Sequence, residues 1–433
     1  MAELYVLPGR DKNLSEEKHA SRLNRTMDNI SKHKSDFENI YRGLPGMEGE
    51  WNFQFPLEEI DHFDWHRGKW TNEYYHYFYR RFSCHILSRL LLEDGQKILI
   101  IGCGFGFDEK NIKAFNKTVE LWSIDISQEM LKRALRSQSP SHFLIGIAER
   151  LPFPDHCFDR VLAREVIEHV IDPKAMLREI GRVLKAGGRA VITTENHRSF
   201  TPSLRYERYI KPKMAKFFRV SLPKSSYKNE APATDEIRTE AKEAGLTLIE
   251  LFWDGALYKY LPEWAPLLKT NLPKIAHYFS CLEKYPTLAK VFCDQVKYVF
   301  LKKEDSSHRP LIGNDVFLSC LACKKRLTLY PTFYECPVCR RKYLLTDDLP
   351  NFLPEEMLKE KDLFSPPESQ IKKKSFMAGG LGVMFNSLSL LCRILYCYLY
   401  VGLALLATFK VKRNFPRLSR ILSKEDRFQR YIS

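Results

Sequence analysis

Apolar and polar positions along this chain change their rhythm near residue 97. From there to residue 301, short apolar runs alternate with stretches whose apolar residues recur at helical spacing, which predicts strands at 97–101, 119–124, 143–146, 159–163 and 188–194. Helices are predicted at 109–115, 128–136 and 173–183, each lying between two of these strands. Strand and helix in alternation build a mainly parallel sheet covered on both faces, so the fold class is α/β. A helix at 235–244 then leads into two late apolar runs, 246–253 and 296–301, expected to form a terminal strand pair.

The flanks and the interruptions follow other patterns. Residues 1–50 are polar and are expected to form an N-terminal arm, and residues 51–92 crowd aromatic side chains such as Trp51, Phe53, Trp65, Trp70 and Phe82. That stretch packs on a core or caps an active-site mouth. Together 51–302 make one domain with two inserts, 197–233 and 254–295. The first mixes Arg205, Tyr206, Arg208, Tyr209 and Lys211, and the second carries Trp264, Tyr278, Phe279 and Tyr285. Connections this long inside a compact domain are more often lids or binding elements than idle loops. A linker at 303–315 leads to a small module at 316–354. An apolar segment, 376–409, and a basic tail, 410–433, follow.

With 433 residues, 44% of them hydrophobic, the chain can bury a full core and still build further modules. Residues 302–433 hold 23 basic and 13 acidic side chains, so most of the net charge of +15 lies in the C-terminal third. The eleven cysteines are irregularly spaced except for four, which is not a secreted disulfide framework, and the polar N-terminus lacks the apolar core of a secretory signal. A cytoplasmic location with reduced thiols is expected.

Gly102, Gly104 and Gly106 follow the first predicted strand and precede a helix. Such a loop allows a tight turn and close backbone approach to a ligand. A dinucleotide fingerprint would place its third glycine at Phe107, so the spacing departs from that pattern. Asp125 ends the next strand, where a carboxylate accepts both hydroxyls of a ribose or caps the following helix.

The stretches 147–159 (IAERLPFPDHCFD), 165–173 (EVIEHVIDP) and 177–188 (LREIGRVLKAGG) come next in order. With the glycine loop they make the chain resemble the class I S-adenosylmethionine-dependent methyltransferases, in particular the ubiquinone and menaquinone biosynthesis subgroup, over roughly residues 70–302. The resemblance implies a Rossmann-like seven-stranded sheet whose last strand runs antiparallel. It implies that Gly102, Gly104 and Gly106 approach the methionine part of S-adenosylmethionine, that Asp125 holds its ribose, and that Ala148 and Glu149 lie beside its adenine. Ile100 and Ile147 stand where many relatives carry acidic residues.

Methyl transfer from a sulfonium needs positioning and exclusion of water more than a catalytic triad. An acceptor of high pKa also needs a base. Glu165 and His169 after the fourth strand, and Glu195 and His197 after the fifth, are the candidates, with a structural role as the alternative for each histidine.

Cys320, Cys323, Cys336 and Cys339 form two CxxC knuckles twelve residues apart, a spacing suited to a closed, structural Zn²⁺ site. The continuation 341–353 (RKYLLTDDLPNFL) resembles the zinc ribbons of small methyltransferase-activating proteins, which implies a built-in partner. Residues 388–409 approach the ~20 residues a membrane span needs, and the tail's eight basic and two acidic residues suit an anionic membrane surface. An interfacial helix, or a helix covering the ribbon, is the alternative. The expectation is a methyltransferase acting on a small or lipid-linked acceptor at the membrane. The alternatives are an RNA or translation-factor methyltransferase whose basic segments contact phosphates, and a non-catalytic cofactor-binding scaffold.

Overall fold

The structure is a computed structural model, and its described residues are 82–83, 85–136, 139–196, 198–200, 209–217, 232–256, 278–303, 316–353, 399 and 402–410. The expected arm 1–50, His197 and the tail beyond residue 410 lie outside them, as does most of the apolar segment 376–409.

Elements follow in the order β1 (Lys97–Ile101), α1 (Phe107–Phe115), β2 (Glu120–Asp125), α2 (Gln128–Arg136), β3 (His142–Ile145), β4 (Phe158–Arg164), α3 (Pro173–Val183) and β5 (Leu184–Glu195). Then come α4 (Lys211–Phe217), α5 (Thr234–Glu243), β6 (Leu246–Ala256), α6 (Pro286–Phe292) and β7 (Cys293–Lys302). The seven strands form one sheet in the order β3-β2-β1-β4-β5-β7-β6. β1 to β5 run parallel, and β7 runs antiparallel to both its neighbours. This is the Rossmann-like methyltransferase arrangement.

Local chemistry sets the boundaries. β1 is apolar on both faces because it is central: Ile98, Leu99, Ile100 and Ile101 are all buried. α3 starts where Asp172 accepts the Ala175 N–H at 3.0 Å and Pro173 fixes the first helical φ. β5 begins at Leu184, directly after α3, four residues earlier than its apolar run indicates. β6 and β7 pair as far as Ala256 and Cys293, so the ends of the expected insert 254–295 belong to the sheet. Residues 85–90 form a helix, with Phe82, Ile86, Leu87 and Leu90 buried.

The C-terminal module is a second, four-stranded sheet, β11-β10-β9-β8, built from β8 (Thr328–Leu329), β9 (Phe333–Glu335), β10 (Lys342–Thr346) and β11 (Leu349–Pro350). It docks on the open edge of the large sheet. Asn351 bridges Ile145 in parallel, the Phe352 N–H donates to the Ile145 carbonyl at 2.8 Å, and Ser319 N–H donates to Pro152 O at 2.9 Å. The Phe352 side chain is fully buried and its ring centroid lies 4.8 Å from that of Tyr343. Lys324 adds a polar clamp, donating to Leu151 O at 3.1 Å and lying 3.6 Å from the Glu179 carboxylate.

Among the described residues no helix is long and apolar enough to cross a membrane. Residues 402–410, the end of the apolar segment and the first residue of the tail, are helical. They bury Ala404 and Thr408 and leave Leu403, Leu405, Leu406 and Phe409 exposed.

Candidate active site and metal centre

The three glycines do different work. Gly102, Gly104 and Gly106 all adopt left-handed backbone, at φ +67°, +56° and +80°. A Cβ on Gly102 would stand 2.2 Å from Val166 Cγ2, and one on Gly106 would stand 2.3 Å from Ser139 Oγ, so packing demands glycine at both. A Cβ on Gly104 would meet nothing within 4 Å. Gly104 therefore faces open space at the carboxyl end of β1, where α/β folds place their ligands.

Asp125 shapes that loop. Its Oδ2 accepts the Gly104 N–H at 2.8 Å and its Oδ1 accepts the Ser127 N–H at 2.8 Å. Burial raises its pKa, and the backbone donors of Ser127, Gly104 and Ile126 oppose that rise. Each oxygen keeps a second lone pair, which suits two adjacent hydroxyls.

Ala148 and Glu149 are buried beyond β3. Glu149 Oε1 accepts the Ile171 N–H at 2.9 Å, and burial pushes its pKa up to about 7. The geometry thus makes Glu149 a tie between the loops after β3 and β4. Ile100 and Ile147 belong to one buried apolar cluster, so these positions contribute packing.

Glu165 follows β4 in a left-handed conformation, φ +53°, uncommon for a residue with a side chain. Its N–H donates to the Thr193 carbonyl at 3.0 Å, and its Oε1 accepts the Thr193 hydroxyl at 2.8 Å. Val166, which follows, fills the space against Gly102. Glu165 thus turns at the sheet end next to the glycine loop. His169 is half-buried and its N–H donates to Val166 O at 2.8 Å, within a turn after β4.

Sequence reasoning passed over two buried charge groups at this end of the sheet. Glu168 accepts the Thr194 hydroxyl at 2.8 Å, and burial, with Glu165 and Glu195 nearby, raises its pKa well above the carboxylate range. Lys297 of β7 is fully buried, bonded to the Asp254 carboxylate, which also meets His85 Nδ1 at 2.7 Å. Its ammonium sits 4.4 Å from the Phe82 ring centroid. A lysine inside the apolar run 296–301 was the available signal.

Cys320, Cys323, Cys336 and Cys339 converge so that all four sulfurs lie within 4.8 Å of one another. The closest pairs are 3.4 Å (Cys320–Cys339 and Cys323–Cys336) and 3.8 Å (Cys323–Cys339). Thiolates at ~2.3 Å from a tetrahedral Zn²⁺ stand about 3.8 Å apart, so this donor set fits that ion. Burial raises the Cys320 pKa, yet hydrogen bonds from the Tyr343 hydroxyl and from the Cys323 and Ala322 N–H groups outweigh it and bring the thiol down to about 6.

Comparison with known proteins agrees with this geometry. Residues 99–192 match the family model described as a methyltransferase domain. A demethylmenaquinone methyltransferase of Tropheryma whipplei (strain Twist) is 31% identical over 180 residues, covering 40% of this chain and 68% of that protein. Phosphoethanolamine N-methyltransferase 3 of Arabidopsis thaliana is 33% identical over 129 residues, which are 29% of this chain and 26% of the plant protein. The chain therefore spans about a quarter of the plant enzyme's length. Among solved structures, Haemonchus contortus phosphoethanolamine N-methyltransferase 2 with S-adenosyl-L-methionine matches at a TM-score of 0.37 and 20% identity, covering 52% of this chain and 53% of that one.

Proposed function

We propose that this chain, which belongs to the class I S-adenosylmethionine-dependent methyltransferases, transfers a methyl group to a small or lipid-linked acceptor at a membrane surface. The observation that carries the reading is Gly104: open space beside it, left-handed backbone, and an N–H held by the carboxylate positioned for a ribose. S-adenosylmethionine supplies, when bound, a methyl group on a sulfonium with its own leaving group. Gly102, Gly104 and Gly106 shape the wall against it, Asp125 accepts its ribose hydroxyls, and Ala148 borders its adenine. Glu149 supports that border by fixing Ile171.

The protein's own work is to orient the acceptor and exclude water. Glu165 is the group best placed to take a proton from an acceptor, because its carboxylate is held by Thr193 at the sheet end beside Gly102. His169 lies one turn further on.

The four cysteines hold a structural Zn²⁺, and the ribbon serves in cis as the activators that it resembles serve in trans. Its support for the site is direct in space. Phe352 N–H bonds Ile145, Ile145 pairs with Asp125, and Asp125 holds Gly104. The exposed Leu403, Leu405, Leu406 and Phe409, followed by the basic tail, suit an anionic membrane surface.

The test is incubation of the full chain with methyl-labelled cofactor and separate lipid, RNA and protein fractions of a cell extract. Label is expected in the lipid or small-molecule fraction, and Asp125→Ala should abolish it. Label in RNA or protein would move the substrate class, and no transfer above Asp125→Ala in any fraction would remove the enzyme reading.

A further inference from the structure

A cavity of about 200 Å³ opens at the β6 side of the sheet, lined by Arg198, Arg238, Lys290, Thr234, Asp235 and Trp253. Arg198 follows β5, Arg238 lies on α5, and Lys290 lies on α6, so three separate segments aim cations at one space. Arg198, Arg238 and Asp235 all act electrostatically on the Tyr298 hydroxyl, the two guanidiniums against the carboxylate, and that hydroxyl lies 3.1 Å from the Thr234 hydroxyl. Among the described residues, no carboxylate lies within ion-pair distance of Arg198, Arg238 or Lys290. The Lys290 ammonium rests 5.1 Å from the Trp253 ring centroid.

The rest of the wall has the same polarity. α5 begins at Thr234 after Ala233, which offers no side-chain cap, and Thr234 and Asp235 of its first turn line the cavity. Asn196 lines the cavity with its amide N–H groups already used: Nδ2 donates to the carbonyls of Lys290 and Cys293 at 3.0 and 2.8 Å, and these two bonds fix the wall. Three cations against the single Asp235, with an uncapped helix start, make a site for a compact, multiply charged oxyanion.

We propose that this cavity binds a phosphate-type oxyanion. Resting on the methyltransferase reading, the oxyanion belongs to the methyl acceptor. Asn196 and Trp253 lie near the carboxyl ends of β5 and β6, the same end of the sheet as Gly104 and Glu165. β6 is four strand spacings from β1, about 19 Å at ~4.8 Å each. The acceptor is then an elongated phosphorylated molecule or a phospholipid headgroup, with its methylated atom well separated from the phosphate.

The full-length protein would be titrated with inorganic phosphate by calorimetry at ionic strength matched with chloride, and S-adenosylhomocysteine would be titrated in parallel. Arg238→Gln combined with Lys290→Gln should weaken phosphate at least tenfold and leave the nucleoside's affinity within twofold. Asp235→Asn should tighten phosphate, a gain that a misfolded variant would not give. With phosphate binding in hand, binding of glycerol 3-phosphate assigns a soluble source, and binding of phosphatidic acid vesicles without binding of glycerol 3-phosphate assigns a lipid. Absence of phosphate heat in the wild type, or equal affinity in the double variant, overturns the proposal. Loss of nucleoside binding with phosphate binding intact would sink the methyltransferase reading and leave the cavity's assignment standing.

Discussion

Truncating Phe352 to alanine would loosen the ribbon from the sheet while leaving its metal ligands untouched. The ring is fully buried, with its centroid 4.8 Å from that of Tyr343 and its Cβ against Gly146, where a glycine Cβ would stand 3.5 Å away. Removing a buried phenyl ring costs about 3–5 kcal/mol, and at 1.4 kcal/mol per tenfold that lowers the docked-to-undocked ratio by about two to three and a half orders of magnitude. The backbone bond from residue 352 to Ile145 survives in principle, so the loss is one of packing. Amide hydrogen exchange is the assay: the position-352 amide should exchange at least a hundredfold faster, while the Arg340 amide, held inside the ribbon by the Cys336 carbonyl, keeps its protection. Since Ile145 pairs with Asp125, S-adenosylhomocysteine should also bind more weakly. Unchanged exchange at position 352 would refute the packing estimate. Faster exchange with unaltered nucleoside affinity would refute the link from ribbon to ribose site.

Further outcomes follow from the same geometry. Gly102→Ala, which drives a Cβ to 2.2 Å from Val166, should lower the melting temperature sharply, whereas Gly104→Ala, which meets nothing, should cost only the ~1–2 kcal/mol of a left-handed alanine yet abolish nucleoside binding in calorimetry. Glu179 is pulled from 4.5 to about 2: burial works against this, but Arg182 and Lys324 outweigh it. A depressed carboxyl stabilises the fold above its ordinary pKa and loses that contribution as pH falls through the folded value, so denaturant titrations between pH 4.5 and 2 should lose up to about 3 kcal/mol that Glu179→Gln lacks at every pH. Removal of metal by a strong chelator should release one Zn²⁺ per chain and raise amide exchange across residues 316–353, with the β4–β5 amides unaffected; retention of ribbon protection in metal-free protein would argue against a structural ion.

How much of this was legible in the sequence depends on the range of the interaction. The parallel strands announce themselves because each is a buried apolar run bounded by turn residues; the glycines stand in one short loop after the first, and Asp125 stands at the end of the next. The left-handed turn at Glu165 was not visible, since nothing in its own side chain asks for that conformation. Glu149 was expected beside the adenine; that its carboxylate also accepts the buried Ile171 N–H is a demand set by a loop twenty-two residues away, which the local sequence does not show. Lys297 and Asp254 form a buried pair only because β6 and β7 are adjacent and antiparallel, which charge patterning along one strand cannot reveal.

The ribbon's position has the same origin and a larger consequence. β3 has only four residues and is the last strand of the sheet on its side. An open edge offers unpaired carbonyl and N–H groups to any passing strand, and here Asn351 and Phe352 fill it from within the same chain. Lys324 then reaches across to Glu179, itself bound by Arg182 at 2.7 Å and by the Leu151 N–H at 2.7 Å. Burial lowers the Lys324 pKa to about 8 despite that carboxylate, so the ammonium is held at a cost and would discharge in mildly alkaline solution. The contact is therefore built from an apolar plug, a backbone bridge and one desolvated charge pair. Of these the plug carries most of the free energy, because desolvation offsets much of the Coulomb attraction in the pair. A ribbon attached in this way extends the sheet at β3, one strand away from the Asp125 carboxylate at the end of β2.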